Sequence, residues 1–172
     1  HMLRCQPYQQ SRDHREERAA LDEQNKLLWR ANRKHLSIEA IRDSLLAVAG
    51  RLDRTMHGRA SPLWGDDYTL RRAVYGYINR FNLDPTLRTF DFPTPMQSQP
   101  SRNESIVAPE SLLTMISPFV IDQAVAITES ADFSACKNDE QRVAVLFETI
   151  FQREPAPPEV TVISRFVERQ SR

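Results

Sequence analysis

The sequence predicts a mainly α-helical fold: an irregular helical bundle with a long proline-containing crossing segment and a C-terminal helical hairpin. Three observations carry that expectation. Apolar residues recur at three- and four-residue spacing within 37–50, 118–127, 139–151 and 158–167. Capping residues, glycine or proline punctuate those runs. Between the two helical regions lies RTFDFPTPMQSQPSRNESIVAPESLLTMISPFV, Arg88 to Val120, with five prolines and no glycine.

Residues 3–24 are polar, and only DHREERAALDEQ suggests a solvated helical turn with Glu/Arg pairs. Residues 1–21 are therefore read as a tag remnant, His1-Met2, followed by a polar arm. Residues 22–172 are read as a single helical domain cut from a longer protein. In NKLLWRANRKHL the apolar positions Leu27, Leu28, Ala31 and Leu36 fall partly in helical register.

SIEAIRDSLLAVAG is the clearest signal of the first half. Ser37 can accept from a free first-turn amide, Glu39 suits the positive helix end, and Gly50 supplies a left-handed stop. Ile38, Ile41, Leu45, Val48 and Ala49 share one face. Gly58, Pro62, Gly65 and Asp66-Asp67 mark 51–70 as a loop. RRAVYGYINRF, residues 71–81, fits both a strand and a helix template. With no partner strand nearby, helix is the expectation, and the choice stays open. Pro85 can open a short helix.

Further on, Pro109 and Pro118 suit first helical positions, with Ser117 before the latter as a cap. Asn138 or Asp139 starts a helix in which Val143, Leu146, Phe147, Ile150 and Phe151 keep perfect register. Glu154 to Pro158 stops it, and a last helix carries Val160, Ile163, Phe166 and Val167 inward. The short connection makes these two an antiparallel hairpin.

Composition narrows the function classes. The 172 residues suit one domain, and Lys plus Arg balances Asp plus Glu at 23 each. Residues 1–86 carry 15 basic and 11 acidic side chains, and 87–172 carry 8 and 12. A split of +4 against −4 is no nucleic-acid footprint. No apolar run approaches the ~18 residues of a membrane span, so no membrane insertion is expected. Cys5 and Cys136 form no CxxC and no CxxCH. Their pairing is plausible only in an oxidising compartment.

Four ordered blocks carry a resemblance: LLWRANRKHLSIEAIRDSLLAVAGRLD, RRAVYGYINRFNLDPTLRTFDFPTP, PSRNESIVAPESLLTMISPFVIDQA and LFETIFQREPAPPEV. Together, over about residues 22–168, they resemble the planctomycete PSD-type C-terminal domain of unknown function. Matching positions include Trp29, Arg30, Arg42, Asp43, Arg72, Tyr75, Phe90, Asp91, Pro95, Arg102, Asn103, Pro118 and Phe119. The chain departs from the family at Gln99, Glu110 and Ile116, and lacks a Gly-Gly pair near Met56-His57-Gly58. The resemblance implies a module of a large, extracytoplasmic, multidomain protein with cytochrome-like segments upstream, and no attached activity.

No complete catalytic constellation is legible, so no catalytic residue is assigned. There is no GxSxG or SxxK, and Ser101, Ser105 and Ser111 read as loop or cap serines. His14, His35 and His57 lack ligand spacing, Asp66-Asp67 lacks EF-hand spacing, and no metal or cofactor is expected. Asp91, Glu104 and Glu110 share one segment, but nothing marks an acid and a base among them. Asp91 beside Arg102 is expected mainly to pin the proline segment, packed by Phe90, Phe92 and Ile106.

If that pair faced a cleft, Asp91, Arg102 and Asn103, with Arg72 and Tyr75, would hold a carboxylate or sugar hydroxyl. Arg71-Arg72 with Tyr75 and Tyr77 is the nearest basic, aromatic surface. Trp29 and Trp64 read as core or interface anchors, with a sugar-stacking platform as the alternative. The expected function is a non-enzymatic docking module for upstream domains or a protein partner. The alternative is a carbohydrate-binding or carbohydrate-processing domain completed upstream.

Overall fold

The computed structural model describes residues 4–6, 8–32, 34–102 and 108–170. The chain divides into two compact units, residues 1–36 and residues 37–172.

The first unit has one short helix, α1 (Glu16–Leu21), which buries nothing. Its order comes from polar side chains that replace missing backbone partners. Asp22 accepts from the amides of Lys26 and Leu27 at 3.0 and 2.7 Å, and its carbonyl accepts from the Trp29 indole. Buried Asn25 donates to the Arg30 carbonyl and to Asn32 Oδ1. Asn25 and Leu28 both take left-handed backbone. These turns replace the helical register suggested by Leu27, Leu28 and Ala31, because the Asp22 and Asn25 side chains compete for the amides a helix would use. Trp29 packs edge-on to His14 at 6.1 Å, beneath the Arg30 guanidinium.

The second unit begins with α2 (Ile38–Val48), capped by Ser37 through the Ala40 amide and stopped by Gly50 at φ +69°. Such a cap contributes about 1 kcal/mol. The most buried line of α2 is Ile38, Arg42 and Leu46. The expected stripe shares Ile38 with that line and otherwise lies beside it, with Ile41, Leu45 and Val48 half-buried. Leu46 is fully enclosed, a burial worth about 1.5–3 kcal/mol.

α2 packs on α5 (Pro118–Thr128), whose buried line is Phe119, Gln123 and Ile127. Each of the two helices thus puts a polar side chain, Arg42 or Gln123, at the centre of its inner face. Proline opens α5 as expected, with Ser117 before it, although the Ser117 side chain makes no capping bond.

The expected helix over 71–81 does not form. One 3-10 turn spans Ala73–Tyr75, and parallel bridges join Asp53 to Arg71 and Ser61 to Gly76. The backbone there is committed across the loop: Ser61 donates to the Tyr75 carbonyl, and Tyr77 donates to the Ser61 carbonyl. Those bonds consume groups an α-helix would need, and Gly76 disfavours one. Gly76 also lets Leu63 close in, since a Cβ there would lie 2.4 Å from the Leu63 side chain.

α3 (Pro85–Thr89) is capped by Asp84 and leads into the proline segment, where Phe92 donates to the Leu87 carbonyl. α4 (Ala108–Ile116) packs on α3 and α5. A four-residue turn, α6 (Ala131–Ser134), precedes α7 (Asp139–Phe151). Asn138 caps α7 through the Gln141 amide, while Gln141 accepts from the Lys137 amide.

α7 packs against α8 (Pro157–Gln170) as the terminal hairpin. Glu159 folds back to accept from the Ala156 amide at 2.8 Å, closing the start of α8. Val143 and Phe147 are buried, but Phe151, Phe166 and Val167 are exposed. The outer ends of the predicted inward faces are therefore uncovered.

Candidate functional site

The polar centre of the second unit is Arg42, whose side chain is 0% exposed. Its Nε donates to the Leu63 carbonyl at 3.2 Å and one Nη to the Arg71 carbonyl at 2.8 Å. The other Nη donates to the Thr69 carbonyl. Asp43 stands 3.5 Å away and accepts from the Ala73 amide. Burial pushes the Arg42 guanidinium below its usual value, while Asp43 and Tyr68 hold it up. The rings of Trp64 and Phe119 cover it. Arginine suits this place because a planar fork serves several carbonyls at once.

Gln123 extends the centre. It donates to the Phe119 carbonyl and the Tyr68 hydroxyl, and it accepts from Arg51. Loop 51–76 is thereby fastened to both helices without a sheet.

Two hollows flank that loop, sharing Leu63 and Ile78 in their walls. One, of about 510 Å³, is lined by Glu39, Asp43, Arg72, Val74 and Phe92. The other, of about 280 Å³, is lined by Trp64, Tyr77, Asn79, Asn82 and Asp84.

The sequence-derived candidates distribute as follows. Both Nη groups of Arg102 donate to Glu39, at 2.8 and 2.6 Å, and the guanidinium lies 5.3 Å from the Phe92 ring centre. That bond holds the Glu39 carboxyl below its usual value, against the opposing effect of burial. The fork expected on Asp91 is thus engaged by the first turn of α2. Asp91 itself takes left-handed backbone at φ +52°. Arg72 lines the larger hollow, while Tyr75 lies 4.2 Å beneath the guanidinium of Arg71.

Arg71 donates to the carbonyls of Arg59, Thr55 and His57, so it holds its own loop rather than forming an open basic surface. Asn103, Glu104, Ser105 and Ile106 lie outside the described residues. Trp64, the alternative sugar platform of the sequence, shares the smaller hollow with Asn79, Asn82 and Asp84, which no motif marks.

Among the described residues, no group of three or more His, Cys, Asp or Glu is placed to hold a metal ion. Among them, too, no helix is long and apolar enough to cross a membrane.

Fold and site define a helical domain organised on a buried arginine, with hollows on either side of its central loop. Its sequence matches the family model PSD1, described as a protein of unknown function (DUF1553), over residues 1–167. The chain belongs to that family. No curated protein and no solved structure matched in the corresponding comparisons.

Proposed function

We propose that this domain is a non-enzymatic docking module, seated through the aliphatic faces of α4 and α5 against a neighbouring domain of a longer parent chain. The observation that carries this reading is the stripe Leu112, Met115 and Ile116, at i, i+3 and i+4 of α4, exposed by 58, 77 and 63%. On α5, which contacts α4, Ile121 and Val125 are also exposed, by 50 and 48%. Several large apolar side chains left in water on adjacent helices mark an interaction surface more often than a bare one. Methionine adapts such a surface to an irregular partner.

The balanced charge supports a protein surface as the occupant, since neither nucleic acid nor anionic lipid would be drawn by a net field. The resemblance to C-terminal modules of multidomain, cytochrome-linked proteins supports a neighbouring domain, outside the cytoplasm, as that surface.

Hydrogen exchange tests the proposal. Amides of 108–128 in this chain are compared with the same amides in the full-length parent, and with the parent carrying Met115→Ser and Ile116→Ser. Docking protects the segment in the parent and loses that protection in the variant. Equal exchange in all three would overturn it.

A further inference from the structure

The smaller hollow is a second surface, separate from α4 and α5. We propose that it binds a neutral saccharide unit. Its volume, about 280 Å³, falls just below the ~300 Å³ at which drug-sized ligand pockets begin and suits one sugar ring.

Its chemistry is mixed in the way such a ring requires. A sugar presents apolar C–H faces and a polar rim of hydroxyls. Trp64 and Tyr77 supply aromatic surface, and Asn79, Asn82 and Asp84 supply hydrogen-bonding groups. Asp84 is the sole charged residue in the lining, and no cation is among them. A phosphate or carboxylate would find no counter-charge there, which favours an uncharged ligand.

The polar groups are partly committed and partly spare. Asn79 Oδ1 accepts from the amides of Phe81 and Asn82 at 3.0 and 3.3 Å. Its amide is thereby oriented with the Nδ2 donors left over. Asp84 Oδ1 is used by the Thr86 amide at 2.8 Å, leaving the second oxygen as an acceptor. The Trp64 indole N–H is buried and meets no acceptor among the described residues. A buried donor left unbonded costs stability, so a ligand that reached it through a small shift of the ring would recover that bond.

The walls are held in place beforehand. Trp64 packs edge-on to Phe119 at 5.3 Å and covers Arg42. Tyr77 follows the Ser61–Gly76 bridge and donates its amide to Ser61. The backbone of these walls therefore needs little reorganisation on binding, which limits one of its costs.

The test is saturation-transfer NMR on this chain with the methyl glycosides of glucose, galactose, mannose and N-acetylglucosamine, and with benzyl alcohol as an apolar probe. Three variants accompany it. Asn82→Ala and Tyr77→Ala alter exposed side chains, and Trp64→Phe removes the indole N–H while keeping a ring on Phe119. At least one methyl glycoside is expected to bind, and to bind about tenfold more weakly or worse in Asn82→Ala and Trp64→Phe. Asn82→Ala should keep the wild-type unfolding temperature. The proposal is overturned if no glycoside binds, if the variants bind equally well, or if benzyl alcohol alone binds.

Discussion

Arg102 reaches back 63 residues to hold the Glu39 carboxylate through both of its terminal nitrogens. The contact fastens the middle of the proline segment to the first turn of α2, where a carboxylate already suits the helix dipole. It explains how residues 90–102, which form no helix or strand, are held to the helical body. Removing the pair should loosen the crossing more than it unfolds the domain. Both side chains are partly exposed, so a double-mutant cycle with Arg102→Ala and Glu39→Gln should give a coupling of about 1 kcal/mol or less. Amide exchange over 92–102 should rise clearly in Arg102→Ala, and unchanged exchange there would contradict the pinning role.

Arg42 should behave differently. Its loss strands three carbonyl acceptors and leaves Asp43 without its cation. Arg42→Ala is expected to cost about 3–5 kcal/mol, a large share of a total near 5–15 kcal/mol. Arg42→Lys keeps the charge but cannot span the carbonyls of Leu63, Thr69 and Arg71, so it should rescue little. Urea unfolding decides this, and an alanine variant within about 1 kcal/mol of wild type would refute the clamp.

Two glycines should fail for different reasons. Gly76 has ordinary backbone, but an added Cβ would sit 2.4 Å from Leu63. Gly76→Ala should cost about 1–3 kcal/mol through overpacking, and Leu63→Ala in the same chain should relieve the clash. Gly50 has open space around it, yet φ is +69°. Gly50→Ala should cost roughly 1–2 kcal/mol from backbone strain, with no rescue by any neighbour. Thermal melts of the variants separate the two mechanisms.

Two glutamates should keep their charge further into acid than an ordinary glutamate. Glu159 is held down to about 2 by the hydrogen bond from Arg153, helped by the Ala156 amide. Glu39 is lowered in the same direction by Arg102. A carboxylate with a depressed folded value contributes its stability above the usual glutamate value of 4.5 and loses it as pH falls through the folded value. Carbon-13 titration should therefore place Glu159 near 2, moving towards the usual value in Arg153→Gln. A wild-type midpoint near 4.5 would show the start of α8 to be held in some other way.

The sequence by itself determined where most helices lie and how they end. Ser37, Asn138, Pro85, Pro118 and Gly50 act through bonds or dihedrals within a few residues, so their meaning needs no partner from elsewhere. The two-helix C-terminal hairpin follows from the same local logic. Tertiary structure decided the rest. Periodicity gave the inner side of α2 to Ile41 and Leu45, but the deepest place went to Arg42, because loop 51–76 brought it three carbonyls. Residues 71–81 gave up their helix because Ser61, far along the chain, took their backbone groups. Arg102 found Glu39, and Trp64 met Asn79 and Asp84, only once the loops had closed. Hydrogen-bonding groups accept any partner of suitable geometry, so a local pattern names the donors and acceptors but leaves their pairing to the folded chain.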